Sequence, residues 1–91
     1  MNVLILRRMV RYTLRNSTGQ PIEVSLSTNG GGTGTTARMH IAAGKSNWWE
    51  RNGGNTQTFS VQVGDKNRVY KNKNPGSYEL KKNSVGDYVL Y

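Results

Sequence analysis

Residues 10–27 read VRYTLRNSTGQPIEVSLS, and the spacing of their apolar side chains decides the fold. Val10, Tyr12 and Leu14 alternate with Arg11, Thr13 and Arg15, and Ile22, Val24 and Leu26 alternate with Glu23, Ser25 and Ser27. Successive side chains of an extended strand point to opposite faces, so a period of two marks a strand with one buried and one wet face. Between the two runs, NSTGQP at 16–21 is rich in turn formers, and Pro21 suits the first position of a strand, where its missing N–H is tolerated. The expected unit is a hairpin with a loop of about six residues.

The same period continues toward the C-terminus. Ala37, Met39 and Ile41 alternate with Arg38, His40 and Ala42, and Phe59, Val61 and Val63 alternate with Thr58, Ser60 and Gln62. Asn47 to Arg51 (NWWER) forms a short strand between AAGKS and NGGN, and Val69 and Tyr70 fall in a basic strand after the tight turn at Gly64-Asp65-Lys66-Asn67. Beyond the NKNPG turn at 72–76, Tyr78 and Leu80 alternate with Glu79 and Lys81, and DYVLY at 87–91 closes the chain. Helical spacing of apolar residues is absent from every window. Seven to eight short strands separated by turn signals indicate an all-β antiparallel sandwich or small barrel.

A chain of 91 residues makes one domain with a small core. Residues 1–8 read as an N-terminal extension or edge strand ahead of a single β domain at 9–91. The apolar run Val3 to Leu6 is short and precedes its arginines, the reverse of a secretion signal, and it is too short for a membrane span. The absence of both a signal pattern and cysteine points to a reducing, cytoplasmic setting.

The 13 Lys and Arg against 5 Asp and Glu give a net charge of +8, a field that attracts polyanions. Nucleic acid is the first expected partner, and acidic glycan or anionic lipid the second. A protein partner or a second copy joined through an edge strand is a further alternative. Cations cluster at Arg7, Arg8, Arg11 and Arg15 and again at Arg68, Lys71, Lys73, Lys81 and Lys82. If the first and last segments are neighbours, Arg11, Arg15 and Lys81 share one face.

Trp48 and Trp49 are adjacent, so in a strand one ring enters the core and the other faces outward, bordered by cations such as Lys45 and Arg51. An outward ring is either a stacking surface for a base or a sugar, a membrane-interface anchor, or a ring covered by a loop or by the N-terminal extension. The candidate binding residues are therefore Trp48, Trp49, Lys45, Arg51, Arg11, Arg15, Arg68, Tyr70, Lys71 and Lys81, whereas Tyr78 and Tyr88 alternate as core positions do.

Catalytic and cofactor signatures are missing. Gly44-Lys45-Ser46 lacks the glycine five residues upstream, where Met39 stands, and precedes a strand in place of the helix a phosphate loop requires. The glycine-rich NGGGTGTT at 29–36 lacks the third glycine of a dinucleotide fingerprint and reads as a flexible loop that connects strands or closes over a ligand. A single His and no Cys argue against a metal centre, and the five acids show no close pairing. Asn16-Ser17-Thr18 is a glycosylation sequon, meaningful only on an exported chain.

The stretch RYTLRNSTGQPIEV at 11–24 resembles the first hairpin of small cytolysin-type β-sandwiches such as aegerolysins and actinoporins. The likeness spans about 14 residues and carries no site. The expected function is a non-enzymatic basic β domain that binds nucleic acid by backbone electrostatics and aromatic stacking. The alternatives are a lectin-like or lipid-headgroup module using the outward Trp, and a protein-interaction or inhibitor domain.

Overall fold

The computed structural model describes residues 8–32 and 34–91, so the extension or edge strand expected at 1–8 lies outside them except for Arg8. Among the described residues there are eight strands: β1 (Met9–Ser17), β2 (Ile22–Leu26), β3 (Met39–Ile41), β4 (Ser46–Asn52), β5 (Gln57–Val63), β6 (Lys66–Lys73), β7 (Gly76–Lys82) and β8 (Tyr88–Leu90). They form two four-stranded sheets, in the orders β4-β1-β7-β8 and β3-β2-β5-β6. The two sheets make a β-sandwich, as the period-two runs imply.

The partners of β1 and β2 differ from the hairpin expectation. β1 pairs with β4 and β7, while β2 pairs with β3 and β5, so the two strands lie in opposite sheets. Asn16, fully buried near the end of β1, makes the arch. Its amide nitrogen donates to Gln20 O at 2.7 Å and to Ile41 O of the opposite sheet at 2.9 Å, and its Oδ1 accepts from the Thr18 N–H and hydroxyl. Side-chain hydrogen bonds thus replace the main-chain ladder that a hairpin would have. The stretch that resembles a cytolysin hairpin is therefore not one here. A second departure is the β1–β7 pair, which is parallel, with Leu14 opposite Tyr78 and Asn16 opposite Leu80.

The inner faces meet in one core. Tyr12, Leu14, Trp49, Leu80 and Tyr88 come from the first sheet and Ile22, Val24, Leu26, Ile41, Phe59, Val61 and Val63 from the second. Phe59 is its hub: the rings of Tyr12, Trp49 and Tyr78 meet it edge-on, at centroid distances of 6.1, 5.8 and 5.5 Å. Such edge-to-face pairs add about 0.5–1.5 kcal/mol each beyond area burial and fix how the sheets register. Tyr88 is buried and Tyr78 packs partly into the core, as their alternation implies. Tyr70 also turns inward, its hydroxyl donating to Tyr88 O at 2.7 Å, while Val69 takes the exposed side of β6.

The glycine-rich loop is tied to the sandwich at Asn29 and Thr35. Gln57, buried at the start of β5, accepts from the Asn29 N–H and donates to Asn29 O. Arg51, also buried, donates to the carbonyls of Leu26, Ser27, Glu50 and Thr35. A Cβ at position 34 would collide with Arg51 Nη1, so a larger residue there would displace the guanidinium from its carbonyls.

Candidate functional site

The outer face of the first sheet collects four of the ten sequence-derived candidates, Arg11, Arg15, Trp48 and Lys81. Thr13 pairs with Trp48 and Arg11 with Glu50 across β1 and β4, while Arg15 lies opposite Ser46 on one side and Glu79 on the other. Because even-numbered β1 residues point into the core, Arg11, Thr13, Arg15 and Ser17 all point out, and Lys81 joins them from β7. Lys45 stands at the turn before β4, its carbonyl accepting from the Asn16 N–H, so it falls opposite inward-facing Asn16 and does not join this face.

The tryptophans divide as the strand period requires. Trp49 is 3% exposed and meets Phe59 edge-on, whereas Trp48 is 52% exposed on the outer face. The Arg11 guanidinium lies over the Trp48 ring, 4.1 Å from its centroid, and also reaches Glu50 at 3.5 Å. A cation over an indole face contributes about 0.5–1 kcal/mol at an exposed site and holds the ring upright.

A second aromatic closes the far side of this face. Tyr91, 62% exposed, follows β8 and is bonded through its backbone to Glu79, with Lys81 Nζ 5.7 Å from its ring centroid. Three strand spacings separate β4 from β8, so the rings of Trp48 and Tyr91 bracket a cationic strip about 14 Å wide. Tyr91 escaped the sequence reading because DYVLY ends the chain and alternation alone does not say which sheet face its last ring joins.

The acids on the face are already engaged. Glu79 accepts from the Ser17 hydroxyl at 2.6 Å and lies 3.4 Å from Lys81 Nζ. The Ser17 hydrogen bond, with help from Lys81 and Arg15, holds its carboxyl below the usual glutamate range. Glu79 is therefore an ionised brace that aligns Ser17 and Lys81.

The remaining candidates lie elsewhere. Arg51 and Trp49 are buried, so neither borders the exposed ring. The inward side of β4 requires them to leave the surface, and the carbonyl partners of Arg51 compensate its buried charge. Arg68, Tyr70 and Lys71 sit on β6, an edge of the second sheet. There Arg68 pairs with Asp87 at 3.1 Å, and Tyr70 is a partly buried core residue and not a surface ring. The Tyr88 backbone N–H and then Arg68 hold the Asp87 carboxyl below its ordinary range. Lysines along this edge also discourage strand addition by another chain.

His40 pairs with Glu23 at 2.8 Å on the exposed face of the second sheet. Among the described residues no group of three His, Cys, Asp or Glu is placed to hold a metal ion, and no helix is long and apolar enough to cross a membrane. The chain matches no known protein-family model, and no curated protein resembles it closely enough to count as a relative.

Proposed function

We propose that this β-sandwich is a non-enzymatic binding module for single-stranded nucleic acid, using the outer face of its first sheet. The observation that carries it is the half-exposed Trp48 ring stacked with Arg11 on a face that also presents Arg15 and Lys81. Cations track the phosphate backbone, and exposed rings accept bases without sequence preference at about 1–3 kcal/mol per stacked base. Trp48 and Tyr91 supply the two rings, and a strand running across β4, β1, β7 and β8 passes Arg11 or Arg15 on β1 and Lys81 on β7 between them.

A lectin-like module is the second reading, favoured by the carboxylates of Glu50 and Glu79 beside the rings, which accept sugar hydroxyls as readily as they repel phosphates. Fluorescence anisotropy of labelled oligothymidylate separates the two. Affinity that rises as salt is lowered and drops at least tenfold in Trp48→Ala supports nucleic acid. Salt-insensitive binding to neutral glycans, with none to the oligonucleotide, supports the second reading and sinks the first.

A further inference from the structure

We infer that a groove at one end of the sandwich seats a phosphate of the same strand whose bases reach Trp48, so that the unit recognised is a nucleotide. This rests on the nucleic-acid reading above. The groove has a volume of about 520 Å³ and lies between the start of β1, the turn after β4 and the turn before β7. Arg8 and Arg11 supply its charge, Gly53, Gly54, Pro75 and Gly76 its backbone walls, and among the described residues no carboxylate lines it. Guanidinium forks match phosphate oxygens in pairs, which a lysine does not do.

The walls are held in advance. The Gly53 N–H donates to Arg8 O at 2.8 Å, and a Cβ at Gly53 would come within 2.9 Å of that oxygen, so only glycine lets the turn approach β1 this closely. Beneath, the Tyr12 hydroxyl lies 3.1 Å from Lys73 O and 3.4 Å from Asn55 O, which ties both turns to one buried ring. Binding therefore orders little that is not already ordered.

Arg11 links groove and ring. It lines the groove while its guanidinium covers Trp48, so a phosphate beside Arg11 and a base on Trp48 fall within one nucleotide of each other. Glu50, 3.5 Å from Arg11 at the margin, competes for the same guanidinium. Its neutralisation strengthens binding, a gain that misfolding does not produce.

The test uses the full chain, with amide NMR and anisotropy against oligothymidylate and, separately, inorganic pyrophosphate. Arg8→Gln is expected to weaken oligonucleotide binding and to flatten the log affinity against log salt slope by about 0.7. Glu50→Gln is expected to tighten binding at least twofold, and the Gly54 and Gly76 amides to shift on titration. Oligonucleotide binding with the Arg8→Gln slope unchanged and those two amides unmoved overturns the groove and leaves the Trp48 face standing. If the oligonucleotide does not bind at all, pyrophosphate decides: shifts at Gly54 and Gly76 that vanish in Arg8→Gln support the groove as a phosphate site and remove the nucleic-acid reading. No shift with either probe overturns the groove.

Discussion

At the scale of single residues, neighbouring positions on β4 have opposite duties. Trp49 fills the core against Phe59, yet its indole N–H has no hydrogen-bond partner among the described residues. An unpaired buried donor costs about 1–3 kcal/mol, so Trp49→Phe should lose less than about 1.5 kcal/mol in urea unfolding, because that cost disappears with the indole. Trp49→Ala should lose about 3–5 kcal/mol through its cavity. Equal losses in the two variants would show that the N–H is not a burden. Arg51 is the opposite case, a buried guanidinium whose planar fork reaches four backbone carbonyls. Arg51→Met should destabilise by about 3 kcal/mol by orphaning them, and Arg51→Lys should recover little, since an ammonium cannot span that fork. The exposed Arg15→Met should stay within about 0.5 kcal/mol of the parent. If Arg51→Met proved as silent as Arg15→Met, the loop anchor would have to lie elsewhere.

At the scale of elements, every strand was legible and its partner often was not. Alternation at Val10 to Leu14, Ile22 to Leu26 and Phe59 to Val63 fixes which side chains go inward, because period two survives in any pairing. Trp48 and Trp49 followed it to opposite faces. The β1–β2 connection was misread because a hairpin loop and an arch between sheets use the same turn formers, and only the contact of Asn16 with Ile41 O distinguishes them. The parallel β1–β7 ladder joins segments about 64 residues apart, for which local sequence holds no signal. In the candidate site, Trp48, Arg11, Arg15 and Lys81 were legible from alternation. The burial of Arg51 was not, since a charged residue on the core side of a strand reads as an exception until its carbonyl partners are seen. Asn16→Ala should therefore cost about 2–3 kcal/mol in urea unfolding, more than a surface asparagine, because Ile41 O and Gln20 O both lose their donor. The same burial leaves Asn16 inaccessible to a glycan in the folded protein.

At the scale of the whole molecule, a net charge of +8 accompanies two cation clusters among the described residues, Arg11, Arg15 and Lys81 on the first sheet's outer face and Lys66, Arg68, Lys71 and Lys73 along β6. Titration bounds the pH range of the fold on both sides. Glu79 and Asp87 are held below their ordinary ranges, so the unfolded chain takes up these protons first. Their contribution is complete above the ordinary carboxylate range and is lost as pH falls through the folded-state values. Burial raises the hydroxyls of Tyr12, Tyr70 and Tyr78 above 10.0, so the unfolded chain ionises first and stability fades as pH climbs past that value. Thermal melts should show Tm flat between about pH 5 and pH 9 and falling on either side; a Tm that rises into acid would contradict the roles given to Glu79 and Asp87.

The central claim concerns Trp48, the exposed one of the two indoles, so its own fluorescence is the direct probe. Quenching by oligothymidylate, titrated at several salt concentrations, should yield a log affinity that falls linearly with log salt at a slope near −3, as about four neutralised phosphates require. That slope means an affinity loss of about 50-fold between about 50 and 200 mM salt. Absence of quenching at low salt, or quenching whose affinity does not change with salt, would contradict the assignment of this face to nucleic acid.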